Sequence, residues 1–150
     1  MNAITASYNR AVAMLSMPFM EALTLLFIRI SLAGIFWRSG RTKADEDSWL
    51  SVSDTAIFLF EEEYKGVPLP PEFAAYMATY AEHLFPILLV VGLFTRLSAL
   101  ALLGMTMVIQ IFVYPEAWWS VHMIWVALAL VLILRGGGSL SLDQLLTRKK

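Results

Sequence analysis

The stretch that decides the fold is YAEHLFPILLVVGLFTR, Tyr80–Arg96. After Glu82 and His83 it runs through eleven residues, 84–94, without a charge or a hydrogen-bonding side chain. With the apolar residues before it, the stretch is long enough to cross a bilayer, which takes about 20 mostly apolar residues. Thr95–Arg96 alone separates it from the next apolar run, so the two segments must form a tight antiparallel helical hairpin.

The composition of the whole chain agrees with a membrane protein. Hydrophobic residues make up 59% of its 150 residues and charged residues 15%, and the mean hydropathy is +0.68. Soluble domains average about 45–50% apolar and about 25% charged residues. The length fits a single membrane domain, 1–150.

Charge and cysteine content exclude several classes of function. The net charge is −1, and no basic cluster accompanies a nucleic-acid-binding motif, so we expect no nucleic-acid partner. Without cysteine the chain has no disulfide, no thiolate metal site and no thiol nucleophile. Any redox chemistry must therefore belong to a bound cofactor or to a partner protein.

Four apolar stretches are long enough to span a membrane, at about 20–37, 73–94, 97–114 and 118–134. Backbone groups in lipid must hydrogen-bond internally, so the spans must be helices. The sequence predicts an all-α, polytopic membrane four-helix up-down bundle. Its outer loop, 38–72, contains SVSDTAIFLFEEEYKG, which predicts a short helix on the outer face of the bundle, capped by a serine.

Basic residues predict the orientation of the bundle, because they favour the cytoplasmic side. Both termini share a side with the loop between the second and third spans. That side holds six basic residues: Arg10, Arg96, Arg135, Arg148, Lys149 and Lys150. The opposite side holds four: Arg38, Arg41, Lys43 and Lys65. We therefore expect cytoplasmic termini and a cytoplasmic basic tail, 135–150.

Two charged residues within the predicted spans are expected to meet. Arg29 lies eight residues before Trp37, and Glu82 lies nine residues after Phe73. Counted at about 1.5 Å per residue from the outer ends of their helices, both reach nearly the same depth. Since a lone buried charge costs far more than a paired one, we expect an Arg29–Glu82 ion pair near mid-bilayer. This pair is either functional or only a lock on helix register.

A second polar layer is predicted closer to the outer face. Gln110 lies four residues before Tyr114, and His122 lies four after Trp118, so the two should be level. If the polar faces of the second, third and fourth spans converge, they enclose a cavity. Its candidate ligand-binding residues are His83, Tyr80, Thr79, Tyr76, Gln110, His122 and Trp118. The alternative is that both histidines are hydrogen-bonded packing residues without a ligand.

Metal and haem binding are weaker alternatives. His83 and His122 differ in depth by about 9 Å at the helical rise, so a haem between them is disfavoured. His122 with Met107 offers the soft ligands that copper prefers. Methionines in a bundle more often fill gaps in the packing. A quinone remains the cofactor that aromatic walls with a few hydrogen-bond donors would suit best.

The chain resembles the DoxX family of small bacterial membrane proteins. The resemblance is carried by LLFIRISLAGIFWRSGRTK, Leu25–Lys43, with Arg29 and a Gly40-x-x-Lys43 ending, and by PLPPEFAAYMATYAEHLFPILLVVGLFTRLSAL, Pro68–Leu100. Arg29, Glu82 and Arg96 match the family pattern. The resemblance implies a four-helix bacterial inner-membrane subunit. Members serve quinol oxidase and thiosulfate:quinone oxidoreductase systems, and others accompany oxidative-stress and thiol-handling enzymes.

Three functions follow as hypotheses. The first is an accessory redox subunit, not catalytic alone, that binds a quinone and serves a periplasmic or membrane redox partner. The second is a metal or small-molecule binding or transport module; IQIFVYPEAWWSVHMIW resembles members encoded beside copper-responsive, peptide-modifying systems. The third is a membrane scaffold for a periplasmic enzyme, recruited by the outer loop. No hydrolase triad or phosphate-binding loop is present, so we predict no catalytic residues.

Overall fold

The computed structural model describes residues 3–46 and 48–147 and is dominated by helices. Four of them are long and apolar enough to cross a membrane: α2 (Pro18–Arg41), α4 (Pro71–Val91), α5 (Thr95–Phe112) and the segment Pro115–Arg135. The fourth span begins with a 3₁₀ turn, Pro115–Ala117, and one turn of π-helix, Trp118–His122, before α6 (Met123–Arg135). The all-α four-helix fold predicted from the sequence is confirmed.

Shorter elements cover both ends of these helices. A helix that precedes the first span, α1 (Ala3–Leu15), contains no buried residue and was not predicted. Between α2 and α4 lie the antiparallel strands β1 (Ala44–Asp45) and β2 (Ser48–Val52) and the predicted short helix α3 (Asp54–Glu63). The chain turns into α7 (Leu142–Thr147) after α6. Arg148, Lys149 and Lys150, the end of the predicted basic tail, lie outside the described residues.

The spans pack in a ring, α2 against α4, α4 against α5, α5 against α6 and α6 against α2. Each is antiparallel to its neighbours along the chain, which gives the up-down topology. The core between them is aliphatic and aromatic, with Leu32, Phe36, Leu89, Leu102 and Leu132 almost wholly buried. We call the end that carries β1, β2 and α3 the capped end, and the end with the α4–α5 turn and α7 the hairpin end.

The capped end has a small core of its own. α3 begins at an N-cap serine, because the Ser53 hydroxyl accepts a hydrogen bond from the Ala56 N–H at 3.1 Å. Its apolar face then packs Ala56 and Phe60 against Ala74 and Ala75 of α4. The first turns of α4 are therefore covered by α3 and not by one of the other spans.

The hairpin end is closed by a contact from far along the chain. α4 is capped at its C-terminus by Gly92, whose φ of 75° is a left-handed conformation that suits glycine. The Asp143 carboxylate, almost fifty residues further along the chain, accepts hydrogen bonds from the backbone N–H groups of Phe94 (2.8 Å) and Thr95 (2.9 Å). Asp143 thus serves as the N-terminal cap of α5 from within α7.

Gly92 also leaves room for the Arg29 guanidinium, and this generates a prediction. A methyl group on Gly92 would overlap Arg29 Nη1 and lie 2.6 Å from Ser141 Cβ. Gly92→Ala should lower the free energy of unfolding by about 3 kcal/mol or more, since a left-handed alanine alone costs about 1–2 kcal/mol. Unfolding in detergent micelles, followed by circular dichroism, would measure the loss.

Gly34→Ala is the matched control for that substitution. Gly34 lies within α2, and a methyl group there meets nothing within 4 Å. Alanine is a better helix former than glycine by about 0.8–1.0 kcal/mol, so this variant should be as stable as the wild type or more so. Equal stability of the two variants would contradict the role assigned to Gly92.

Candidate ligand cavity and buried ion pair

The one buried ion pair among the described residues joins Lys43 and Glu82. Lys43 Nζ lies 2.8 Å from Glu82 Oε2, and the two side chains are 7% and 2% exposed. The ammonium group also donates to the Ser39 hydroxyl at 2.9 Å. Close approach of α2 to α4 makes the pair possible, because a methyl group on Gly40 would lie only 3.0 Å from Glu82 Cβ.

The predicted Arg29–Glu82 ion pair is wrong. Glu82 lies level with Gly40, and Arg29 precedes Gly40 by eleven residues on the same helix, which is about 16 Å at the helical rise. The depth count failed because it assumed that the end of the first span, at Trp37, is level with the start of the second, at Phe73. α2 continues to Arg41, while the first turns of α4 rise beyond it into the core of the capped end.

Arg29 instead lies at the hairpin end of the bundle. The residue is completely buried, and its Nη2 donates to the Leu140 carbonyl at 2.6 Å. Arg29 Nε and Nη1 have no hydrogen-bond partner within residues 3–46 and 48–147. The two charges expected to form one layer therefore mark opposite ends of the core.

A cavity of about 360 Å³ lies between α4 and α5 beneath α3. Its walls are apolar, and Glu82 is the only charged residue that lines it in the described part of the chain. Met77 of α4 and Val108 of α5 line it while 54% and 38% exposed, so it opens between these helices toward the surrounding lipid. The remaining lining residues are Phe60, Tyr64, Val67, Leu69, Ala74, Ala78, Ala81, Phe85, Ala101, Gly104, Met105 and Ile109.

An aromatic stack and a hydrogen bond hold α3 and Tyr64 over this cavity. Phe60 of α3 and Tyr64, which follows it, stack with ring centroids 4.1 Å apart. Burial raises the pKa of Tyr64, so its hydroxyl stays protonated at neutral pH and can donate a hydrogen bond. The Tyr114 hydroxyl donates to the Glu63 carboxylate, which ties α3 to the end of α5 and raises the pKa of Tyr114.

The predicted ligand residues on α4 do not line this cavity. His83 faces α2: its Nδ1 lies 2.7 Å from the Thr79 carbonyl, and its ring lies edge-on to Trp37 with the centroids 5.0 Å apart. The Tyr80 hydroxyl donates to the Leu50 carbonyl of β2 at 3.0 Å. Tyr76, which is 36% exposed, lies beside the Tyr80 ring. His83 and Tyr80 therefore connect α4 to α2 and to β2.

Gln110 and His122 do meet, as their predicted depths required. His122 Nδ1 lies 2.7 Å from Gln110 Oε1, and Gln110 Nε2 donates to the Pro115 carbonyl at 2.8 Å. His122 also packs against Trp125 with the ring centroids 5.1 Å apart. Trp118 begins the π-helical turn that presents His122 to the core. No described contact joins this pair to His83, and the common cavity with His83 stays a prediction.

Copper at His122 and Met107 stays a prediction. No cluster of three or more His, Cys, Asp or Glu residues that could hold a metal ion is present in the described ranges. His122 Nδ1 already interacts with Gln110, and Met107 is half-buried on α5. No described contact joins the two side chains.

Sequence reasoning missed Lys43 as a site residue and counted it only as a charge of the outer loop. The signal was present in the Gly40-x-x-Lys43 ending of the first span. Ser39 and Lys43 are four residues apart, the spacing at which side chains of a helical turn meet. A lysine two residues beyond a helix end can reach back to a buried carboxylate, because its aliphatic stem tolerates an apolar environment.

Comparison with known proteins places this architecture in a family. The sequence profile of DoxX matches residues 24–115, which include most of α2, both strands, α3, α4 and α5. The chain belongs to the DoxX family. Both members of the Lys43–Glu82 pair and the whole lining of the α4–α5 cavity lie within the matched segment, whereas α7 lies outside it.

A relative supports the same assignment over a longer range. A protein of Haemophilus influenzae, named only as uncharacterized, is 32% identical to this chain. The alignment covers 85% of this chain and 86% of the relative. No solved structure shows a significant match. This DoxX-family chain is accordingly a multi-pass membrane protein with four spans.

The buried ion pair generates a stability prediction. Lys43→Met removes the cation and leaves the Glu82 carboxylate without its counter-charge, which costs about 3–5 kcal/mol when a buried pair is broken from one side. Lys43→Met combined with Glu82→Leu should recover most of that loss, since an apolar pair of similar volume is often no worse than the ion pair. Denaturant titration in micelles would give the four free energies of the double-mutant cycle.

The exposed pair Lys65–Glu62 supplies the control for this cycle. Its Nζ–Oε2 distance is 2.9 Å, nearly that of the buried pair, but the side chains are 66% and 53% exposed. Lys65→Met should change the stability by less than about 1 kcal/mol. A loss at Lys43 as small as the loss at Lys65 would show that the buried pair does not hold α2 and α4 together.

Proposed function

We propose that this protein is an accessory subunit of a bacterial inner-membrane redox system and that it binds an isoprenoid quinone between α4 and α5. The observation that supports the proposal best is the apolar cavity with Glu82 on its wall. A volume of about 360 Å³ lies within the range of small-molecule sites, roughly 300–1,000 Å³. Such a site takes up one ligand head group and leaves a long tail outside.

The polarity of the cavity suits a lipid-soluble ligand with one polar end. Most lining residues are aliphatic or aromatic, which favours an apolar ring. The ion pair Lys43–Glu82 and the Tyr64 hydroxyl are the nearby groups that can hydrogen-bond a quinone carbonyl or a quinol hydroxyl. A quinone tail fits the opening between Met77 and Val108, because both residues are exposed on the lipid-facing surface of the bundle.

A subunit role follows from what the chain contains. With no cysteine it lacks thiol redox groups of its own, so electrons would pass between the quinone and a partner protein. The carboxylate of Glu82 is the group on the cavity wall that can accept a proton released by a quinol. The orientation with cytoplasmic termini would place the capped end, and with it this site, on the periplasmic side.

The copper-binding, transport and scaffold functions remain predictions of the sequence. No described contact favours any of them over the quinone site. They can be told apart from quinone binding by experiment, because none of them depends on a quinone in the α4–α5 cavity.

Filling the cavity is the direct test. Gly104 lines it, and a side chain there would begin in open space, since a methyl group meets nothing within 4 Å. Gly104→Leu should keep the fold and even favour the helix, while it occupies the cavity. We expect its affinity for decylubiquinone to fall at least tenfold, as measured by equilibrium dialysis of the purified protein in detergent.

Gly34→Leu is the matched control, because Gly34 has the same open surroundings on α2 and does not line the cavity. Wild-type protein and Gly34→Leu should also retain extractable ubiquinone or menaquinone after purification, and Gly104→Leu should not. Absence of quinone from the wild-type protein, together with no binding of added decylubiquinone, would overturn the proposal.

A further inference from the structure

The hairpin end contains a second cavity, of about 600 Å³, that the quinone site does not use. It lies between the α4–α5 turn, the end of α6 and α7. Six of the side chains around it are polar or charged: Thr95, Arg96, Arg135, Asp143, Gln144 and Thr147. Its chemistry is therefore unlike that of the apolar cavity under α3.

The hydroxyl of Thr95, which lines this cavity, lacks a hydrogen-bond partner among the described residues. Thr95 is completely buried, and its Oγ1 has no hydrogen-bond partner within the described residues. It faces the chain at Gly137, another residue of the cavity wall, since a methyl group on Gly137 would lie 2.7 Å from Thr95 Oγ1. Buried hydroxyls are normally hydrogen-bonded, so an unpartnered one beside a cavity points to a ligand that supplies an acceptor.

The charges around the cavity favour an anionic ligand. Arg96 and Arg135 line it, and the fully buried Arg29 lies behind Ser141 with two nitrogens that have no hydrogen-bond partner in the described ranges. The two acids nearby are already engaged. Asp143 accepts from the N–H groups that open α5, and Glu21 accepts from Arg135. Three arginines against two acids leave one positive charge in excess at this end.

The rim of the cavity is apolar and faces outward. Phe94, Leu97 and Leu146 line it and are 60%, 61% and 64% exposed. In a membrane protein such residues at the end of a span meet lipid acyl chains. A ligand that joins an anionic group to acyl chains satisfies the arginines, the threonine hydroxyl and this rim at once.

We infer that the hairpin end binds the phosphate group of an anionic phospholipid. Its phosphate oxygens accept hydrogen bonds from Thr95 Oγ1 and from the guanidinium of Arg96, and its acyl chains lie along Phe94, Leu97 and Leu146. Arg96 already donates to the Ile133 and Leu134 carbonyls through Nη1, which fixes the guanidinium at the cavity. Basic pockets between spans are known to select anionic head groups.

Thr95→Val and Ser98→Ala form a matched pair of variants for the test. Both remove a buried hydroxyl that has no hydrogen-bond partner in the described part of the chain, but only Thr95 lines the cavity. Neither removal breaks a hydrogen bond within residues 3–46 and 48–147. Both variants should therefore fold, and their melting temperatures in lipid-free detergent check this. Arg96→Gln is the third variant, which removes a charge from the cavity.

The variants would be reconstituted in nanodiscs of 1:1 palmitoyl-oleoyl phosphatidylglycerol and phosphatidylcholine, and the lipids retained by the protein counted by native mass spectrometry. The wild type and Ser98→Ala should retain phosphatidylglycerol in preference to phosphatidylcholine. Thr95→Val should lower that retention about tenfold or more, the effect of one lost hydrogen bond to a charged group. Arg96→Gln should lower it at least as much.

A second arm separates the lipid from free phosphate. Inorganic phosphate is added to the detergent-solubilised protein, and the shift in melting temperature is compared with that given by dioctanoyl phosphatidylglycerol. A Thr95-dependent shift with the lipid supports the proposal. A Thr95-dependent shift with inorganic phosphate alone keeps the phosphate site but overturns its assignment to a lipid. Retention of both lipids equally, unchanged in Thr95→Val and Arg96→Gln, overturns the site.

Discussion

The close approach of α2 to α4 at Gly40 is the constraint on which the capped end depends. A carboxylate at Glu82 would be prohibitively costly among apolar side chains without a counter-charge. The cation comes from Lys43, just beyond the end of α2, and it reaches Glu82 because Gly40 brings the helices together. The Lys43 carbonyl is held in turn by the Ser53 N–H at 3.0 Å, where α3 begins. The ion pair thereby fixes the loop that folds over α4.

A single core separates two polar layers that have different partners. The Lys43–Glu82 pair lies at the capped end, and Arg29 lies at the hairpin end near the 136–141 loop. Between them the interior is filled by leucines and Phe36. The hydrogen bond of Arg29 and the counter-charge of Glu82 both come from loop residues, Leu140 and Lys43, and not from a neighbouring span. The loops of this protein therefore hold the charges in place and shape the cavities next to them.

The location of both cavities follows from this arrangement. The cavity between α4 and α5 exists because α3 and Tyr64 cover the region where α4 extends beyond α2. Gly104 and Ala101 have small side chains, so the α5 side of the cavity stays open. The cavity at the hairpin end exists because Gly136 and Gly137 carry the chain away from α6 before α7 returns to cap α5. A lipid-soluble ligand at one end and an anionic head group at the other are both natural occupants of a membrane bundle.

The sequence by itself determined the four spans, their up-down order, the short helix after Ser53 and the family. These features depend on the length of apolar runs and on local capping, which a single chain segment decides. It also placed Gln110 level with His122, because both positions could be counted from one short turn.

Tertiary structure alone decided which charges meet and where the cavities lie. The pairing of Glu82 with Lys43, the position of His83 against α2 and the role of Asp143 at the start of α5 all depend on the vertical offset between helices. That offset is set by the packing of α3 on α4 and by the loops at both ends, which contain long-range contacts. The pattern of hydrophobic residues indicates which segments lie in the membrane, but it does not indicate how far one helix is displaced along another.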